Sequence, residues 1–317
     1  RKKIMIHCDV PLEGVLMVPT VSSIYEVPLI LEDQGLATLL TESMNIEVKD
    51  QKHGLNGWSD LVDLIKAPKE NLRIAVVGKY VDLHDSYMSV KEALIHAGLF
   101  HKKDIEIQWV GAEDVEKNGA SKYLSEIDGI VVPGGFGYRG VEGMIETVRF
   151  ARESKVPYLG LCLGMQVMVI EAARNLLGKE GANSSEFDES TKHPVIDLML
   201  DQVGVDQKGG TMRLGVYPCV IQDNSITAKA YGVKTVMERH RHRFEFNNSY
   251  KNDLEAVGLI PTGISPDGQL VEIVEYDSHP FMAGTQFHPE FLSRPSRPHP
   301  LFREFIFAAS EFVNKSK

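Results

Sequence analysis

Hydrophobic and polar positions change rhythm near residue 72. From there, short continuous apolar runs bounded by glycine or proline alternate with longer stretches whose apolar positions recur every three to four residues. The runs at 72–78 (Leu72-Arg73-Ile74-Ala75-Val76-Val77-Gly78), 105–110, 129–133 and 157–161 predict strands buried on both faces. The stretches at 86–100 (capped by Asp85 or Ser86), 113–125, around Val141, Ile145 and Val148, and 165–177 predict helices. Strands alternating with such helices make right-handed βαβ units, so the class is α/β, with a mainly parallel central sheet flanked by helices. Past Gly178 the pattern loosens. Strand candidates at 195–199, 217–222, 270–276 and 281–287 predict an additional smaller β region, and 301–313 closes the chain as a helix. In the third of these strands Glu272 and Glu275 interrupt the valines and isoleucines.

The first seventy residues read differently. Residues 1–46 hold a strand-like run, Val15-Leu16-Met17-Val18, and a helix candidate over 24–40. Forty-odd residues rarely enclose a core, so this segment reads as the tail of something larger. Residues 47–70 are mostly polar, with one amphipathic piece around Trp58, Leu61, Leu64 and Ile65, and read as a linker. Residues 71–317 form the main domain.

Composition narrows the function classes. The chain has 317 residues, 43% hydrophobic and 25% charged, as expected of a globular protein with a full core. Lys plus Arg number 34 against 44 Asp plus Glu, a formal charge of -10, which argues against nucleic-acid binding. No apolar run of about 18 residues is present to span a bilayer, and the Arg-Lys-Lys opening that reaches Asp9 does not read as a signal peptide. The start without Met reads as that of a fragment or processed chain. Cys8, Cys162 and Cys219 are odd in number, far apart and outside any CxxC, so neither a disulfide framework nor a cysteine zinc site is expected. A reducing, cytoplasmic setting follows, and no metal site is expected in this chain.

One cysteine has arranged surroundings. Gly160-Leu161-Cys162-Leu163-Gly164 lies between an apolar strand and an apolar helix, as G-x-C-x-G. This is a nucleophile elbow with sulfur at its apex and small residues on both sides. The helix start favours a thiolate, and the N–H of Leu163 points to where an oxyanion would form. A buried structural cysteine in a glycine-bounded turn is the plainer alternative. A nucleophilic cysteine also needs a base with an orienting partner, and His288-Pro289-Glu290 follows the strand at 281–287. Residues two apart in extended chain share a side, so His288 can shuttle a proton while Glu290 holds its ring.

Gly134-Gly135-Phe136-Gly137-Tyr138-Arg139-Gly140 contains GxGxxG, but it follows the third strand of its domain. Cys162 also stands where a dinucleotide site would place its acidic residue. The better reading is a loop beside the elbow, in which Gly135 N–H gives the second oxyanion donor. No GxxxxGK[ST] loop occurs. Arg239-His240-Arg241-His242-Arg243 alternates along a strand and suits an anion better than a metal ion. Gly209-Gly210-Thr211-Met212-Arg213-Leu214-Gly215 is a glycine-hinged segment, either a lid or a simple turn.

Together these strings resemble the class I (triad) glutamine amidotransferases, and Pro133 to Gly137, Gly160 to Gln166, 209–215, 239–244 and Gln286 to Phe291 are similar to the CTP synthase family. The likeness runs from about Leu72 to the end, and 21–28 resembles the last segment of that family's synthetase domain, making 1–46 its C-terminal remnant. The resemblance implies that Cys162 attacks the side-chain amide of L-glutamine, with Gly135 and Leu163 holding the oxyanion and His288 and Glu290 completing the triad. It further implies that Gln166 contacts the substrate, Glu186 takes the α-amino group and Arg243 the α-carboxylate. It implies ammonia delivery to a synthetase domain that activates UTP with ATP and magnesium, and allosteric GTP, for which Phe136 and the lid residues Gly210, Thr211, Met212, Arg213 and Leu214 are candidates. Full-length family members form homotetramers and filaments. Nearly all of the synthetase domain is missing here, so this chain is expected to carry the glutaminase half alone. The alternatives are the glutaminase of another triad enzyme, such as GMP synthetase, and a non-catalytic regulatory or assembly module of the same fold.

Overall fold

The computed structural model describes residues 1–47, 55–198 and 212–316. The chain divides into two compact units, Arg1–Lys69 and Glu70–Lys317. The first holds helices α1 (Lys2–Cys8), α2 (Val27–Asp33), α3 (Leu36–Ser43) and α4 (Asn56–Lys66). Gly35, at φ 81°, breaks the predicted 24–40 helix into α2 and α3, a conformation glycine adopts without strain. The Val15 to Val18 run, expected to be strand-like, forms no strand. Trp58 on α4 donates its indole N–H to the Tyr25 carbonyl at 2.6 Å. Among the described residues of this unit only Val15 and Val62 are buried apolar side chains.

The second unit is built on a nine-stranded sheet. In chain order its elements are β1 (Glu70–Gly78), α5 (Met88–Phe100), β2 (Lys103–Gly111), α6 (Ala112–Asn118), α7 (Ser121–Leu124), β3 (Gly129–Val132), α8 (Val141–Ser154), β4 (Tyr158–Leu161) and α9 (Leu163–Asn175). There follow β5 (Asn183–Ser184), β6 (Pro194–Leu198), β7 (Arg213–Ile221), α10 (Ile226–Tyr231), β8 (Thr235–His242) and β9 (Phe244–Phe246). The chain ends with α11 (Lys251–Ala256), β10 (Leu259–Ile264), β11 (Val271–Tyr276), β12 (Met282–Thr285) and α12 (Pro300–Ser316). The large sheet has the order β2-β1-β3-β4-β12-β11-β10-β7-β8. Pairing is parallel from β2 through β12 and antiparallel from β12 to β8. The parallel half is the predicted βαβ array. β5, β6 and β9 form a separate three-stranded sheet, the smaller β region, but of the strand candidates past Gly178 only that at 195–199 contributes to it, the other three joining the large sheet as β7, β11 and β12.

Alternation along the parallel strands divides the core. Ala75, Val77, Ile130 and Val132 face α8 and α9, with Met144, Val148 and Met168 among their neighbours. Ile74, Val76, Val131 and Leu159 face the opposite layer, where Leu94 of α5 and Phe302 and Phe305 of α12 pack. Two helix expectations need correction. A 3-10 turn at His84–Tyr87 precedes α5, so Tyr87 rather than Asp85 or Ser86 occupies its cap, without a side-chain cap bond. Gly119, at φ 84°, splits the 113–125 stretch into α6 and α7.

Candidate active site

The elbow forms where β4 runs into α9. Cys162 takes φ 54° and ψ -98°, a left-handed conformation that costs a non-glycine residue about 1–3 kcal/mol. Its neighbours hold it there. Cys162 N–H donates to Thr285 O on the adjoining β12 at 2.6 Å, and the Cys162 carbonyl accepts from Met165 and Gln166 N–H at 3.1 and 3.2 Å. Both flanking glycines are required by close backbone approach. A Cβ on Gly164 would lie 2.1 Å from Val132 O, and one on Gly160 would lie 2.6 Å from Gly164 C and O.

The chain leaving β12 brings the second part of the site to the same point. His288 Nδ1 and Glu290 Oε1 lie 2.7 Å apart, both residues buried, so Glu290 holds the ring, but from a 3-10 turn over Pro289–Leu292 and not from the extended chain that the two-residue spacing assumed. The His288 N–H donates to Arg239 O on β8 at 2.8 Å, which anchors the backbone. Burial pulls the His288 pKa down, but the charges of Glu290 and Cys162, with hydrogen bonds from both side chains, raise it from 6.5 to about 10. The imidazole thus sits under the influence of the sulfur's charge while the carboxylate holds its Nδ1, and Cys162 and His288 line one cavity. Gly134 makes room, since a Cβ there would lie 2.8 Å from His288 Cε1 and 3.6 Å from Cys162 Cβ.

Cys162, Gly135 and Phe136 line two cavities at once. One, of about 520 Å³, is also lined by Gln166, Glu186, Met212 and Arg243, so the residues matched to the ends of a zwitterion share one chamber. The other, of about 350 Å³, runs past His288, Glu290, Tyr87 and Arg241. Leu163 is the first residue of α9, and the first N–H groups of a helix lack intrahelical partners. Gly135 sits against it, 3.3 Å from an added Cβ to Leu163 Cδ2. Glu186 Oε1 accepts the Gly137 N–H at 2.9 Å, so it also braces the glycine loop.

Of the lid candidates, Gly210 and Thr211 lie outside the described residues. Met212 lines the larger cavity, Leu214 is exposed, and Arg213 is buried. Arg213 Nη1 meets Glu272 Oε1 at 2.7 Å and Glu245 Oε1 at 3.6 Å, with its guanidinium 4.5 Å from the Tyr217 ring centroid. The 239–243 repeat resolves into two faces along β8. His240 and His242 point inward, while Arg239 and Arg241 point out. Burial, followed by the charge of Arg213, lowers His240 to about 2 and His242 to about 3, so both stay neutral.

Two contributors were not visible from spacing. Lys79, just past β1, is buried, and its Nζ donates to the carbonyls of Phe136 and Gly137, pinning the glycine loop from beneath. Burial lowers its pKa to about 8 despite the nearby Glu186. The second is Gln286, whose Nε2 lies 3.6 Å from the Cys162 sulfur.

An α/β fold with a cysteine at a strand-to-helix elbow, a carboxylate-held histidine and an adjoining glycine loop is the arrangement of the nucleophile-elbow proteins. Comparison with known proteins refines this. Residues 82–308 match the family model "Glutamine amidotransferase class-I". The chain is 56% identical over 313 residues to the CTP synthase of Dehalococcoides mccartyi (strain CBDB1), covering 99% of this chain and 57% of that protein. It is 55% identical over 312 residues to the CTP synthase of Roseiflexus sp. (strain RS-1), covering 98% of this chain and 56% of that protein. The chain thus spans little more than half the length of these curated relatives. Among solved structures it matches the glutaminase domain of Trypanosoma brucei CTPS with bound acivicin, at a TM-score of 0.72 and 40% identity, over 76% of this chain and 94% of that one. The chain belongs to the class I glutamine amidotransferases, in the branch formed by the glutaminase domains of CTP synthases.

Proposed function

We propose that Cys162, His288 and Glu290 form a catalytic triad that hydrolyses the side-chain amide of glutamine. The observation that carries this reading is the strained Cys162 apex, sharing one cavity with the His288–Glu290 pair and opening on a chamber bearing Glu186 and Arg243. Glutamine enters the larger cavity, its α-amino group towards Glu186 and its α-carboxylate towards Arg243, with Gln166 alongside. The thiolate adds to the carboxamide carbon, and the N–H groups of Gly135 and Leu163 receive the oxyanion. His288, carrying its proton, gives it to the amide nitrogen, the C–N bond breaks and ammonia leaves. The thioester is then opened by a water whose proton His288 accepts, and glutamate departs as the thiolate re-forms.

The relatives' full length supports a wider role. Residues 1–46 are the end of a synthetase domain and 47–70 the linker to the glutaminase domain. The many exposed apolar side chains of the first segment (Ile6, Met17, Ile24, Met44) support this, since such surface is normally covered. The ammonia then aminates UTP, activated by ATP with magnesium, in the longer protein, with GTP as activator at the Phe136 side of the site.

Glutamate release by the chain and its Cys162→Ala variant tests the triad. We expect the variant to lose roughly 1,000-fold or more of the activity and all labelling by a glutamine-like diazoketone. Equal rates in the two proteins would remove the reading.

A further inference from the structure

The sulfur of Cys162 has a third polar neighbour besides the helix start and His288. Gln286, fully buried just past β12, places its side-chain Nε2 3.6 Å from Sγ. An amide's two ends are interchangeable by shape, so what matters is which end faces the sulfur. The surroundings decide this. Gln166 Nε2 lies 3.1 Å from the Phe244 backbone carbonyl on β9 and 3.3 Å from Gln286 Oε1. A backbone carbonyl can only accept, so Gln166 must present its NH2 there. That NH2 has two hydrogens, and the second goes to Gln286, whose facing atom must then be oxygen. Turning Gln286 over would set NH2 against NH2, and turning both would set the Gln166 oxygen against the Phe244 carbonyl. The backbone of β9 therefore fixes the polarity of both amides.

We infer that Gln286 is a further catalytic residue, an N–H donor to the reacting sulfur, oriented by Gln166 acting as a positioning residue. The inference rests on the triad reading above. A buried N–H beside sulfur stabilises a thiolate more than a thiol, because donation to an ion is the stronger bond. The same donor eases departure of the sulfur when the thioester opens. Gln286 thus acts at both steps in which charge sits on Cys162, whereas Gln166 faces two ways, to the glutamine chamber and to this relay.

The test is iodoacetamide alkylation of Cys162 across pH, followed by peptide mass spectrometry to separate it from Cys8 and Cys219. Gln286→Met keeps the shape and removes the donor. At about pH 6 the variant is expected to react roughly ten-fold more slowly than the unaltered chain, and at about pH 10 equally fast, with KM for glutamine within about two-fold. Gln286→Leu should behave alike, and Gln166→Met should give a smaller shift in the same direction. In the unaltered chain, the solvent-shielded side-chain amide ¹⁵N–¹H signals of Gln286 should move when Cys162 is alkylated, a readout that needs no folded variant. Superimposable alkylation profiles, or amide signals indifferent to alkylation, would overturn the inference. Glutamate release is measured in parallel. An unaltered chain that alkylates normally yet releases no glutamate would count against the triad reading instead.

Discussion

At the scale of single residues, the candidate site takes its shape because a few atoms are held where they would not rest by themselves. Cys162 sits at positive φ only because Gly160 and Gly164 let β4, α9 and the Val132 carbonyl of β3 approach within a Cβ's radius. The His288–Glu290 contact gives a pH prediction. The folded pKa of His288, about 10, lies above its unfolded value of 6.5. Its pairing therefore stabilises the fold fully below pH 6.5, and that contribution is lost as the pH rises through about 10. The alkaline limb of kcat/KM for glutamine should fall near the same point. In Glu290→Gln a charge that raises His288 is gone, so the limb should move about one unit or more towards neutrality. A limb left in place would show that Glu290 does not set the histidine's protonation.

At the scale of elements, β8 and β11 show how polar residues enter a buried sheet. Every residue of β11 is buried, Glu272 and Glu275 included. Glu275 is satisfied by the N–H groups of Ile226 and Thr227 at 2.8 and 2.9 Å and the hydroxyls of Thr227 and Thr262 at 2.5 and 2.9 Å, which fastens the start of α10 to the sheet. Glu272 meets Arg213, yet burial still raises it to about 7. His240 and His242 have the opposite sign. Their folded pKa values, about 2 and 3, lie below 6.5, so each contributes stability that is lost as the pH falls from 6.5. By pH 5 the loss is about 2 kcal/mol per histidine. Glu272, raised from 4.5 to about 7, gains stability over the range between those values and offsets part of it. His242→Gln should thus flatten the decline of Tm between about pH 6.5 and 5, and thermal melts across that range check it. An unchanged slope would mean these histidines do not titrate on unfolding as their burial requires.

For the whole molecule, the two units differ in what can hold them together. Glu70–Lys317 encloses layers on both faces of its sheet, whereas Arg1–Lys69 buries only Val15 and Val62 among its described apolar residues. Residues 70–317 made alone should melt in one cooperative transition and bind a diazoketone at Cys162. Residues 1–69 alone should show no cooperative transition by circular dichroism, because so little apolar surface is removed from water. A sharp melt of the short piece would refute this account of its stability.

Much of this was legible in the residues themselves. The parallel half of the sheet was, because strands buried on both faces must be apolar throughout and stand out from the helices between them. The elbow was also legible, since it is a local string whose spacing fixes its geometry, whereas His288 and Glu290 meet through a 3-10 turn and not through the extended chain expected of them. The antiparallel half was harder. β10 carries Pro261 and Gly263, and β8 carries the arginine–histidine repeat, so neither has the composition of an ordinary strand. The strand-like run at 15–18 and the unbroken helix at 24–40 misled because local apolar content says nothing about a partner strand or a glycine turn. The sequence by itself singled out the sulfur, imidazole and carboxylate proposed to act together, because each lies in a short motif. The tertiary structure alone decided what surrounds them. Lys79 under the glycine loop is an ordinary residue in an ordinary place along the chain, and Gln286, although it opens the Gln286 to Phe291 string, has no spacing that aims it at the sulfur. They matter because burial removes the water that would otherwise satisfy them, which leaves each polar atom to be paired by whatever the fold brings within reach.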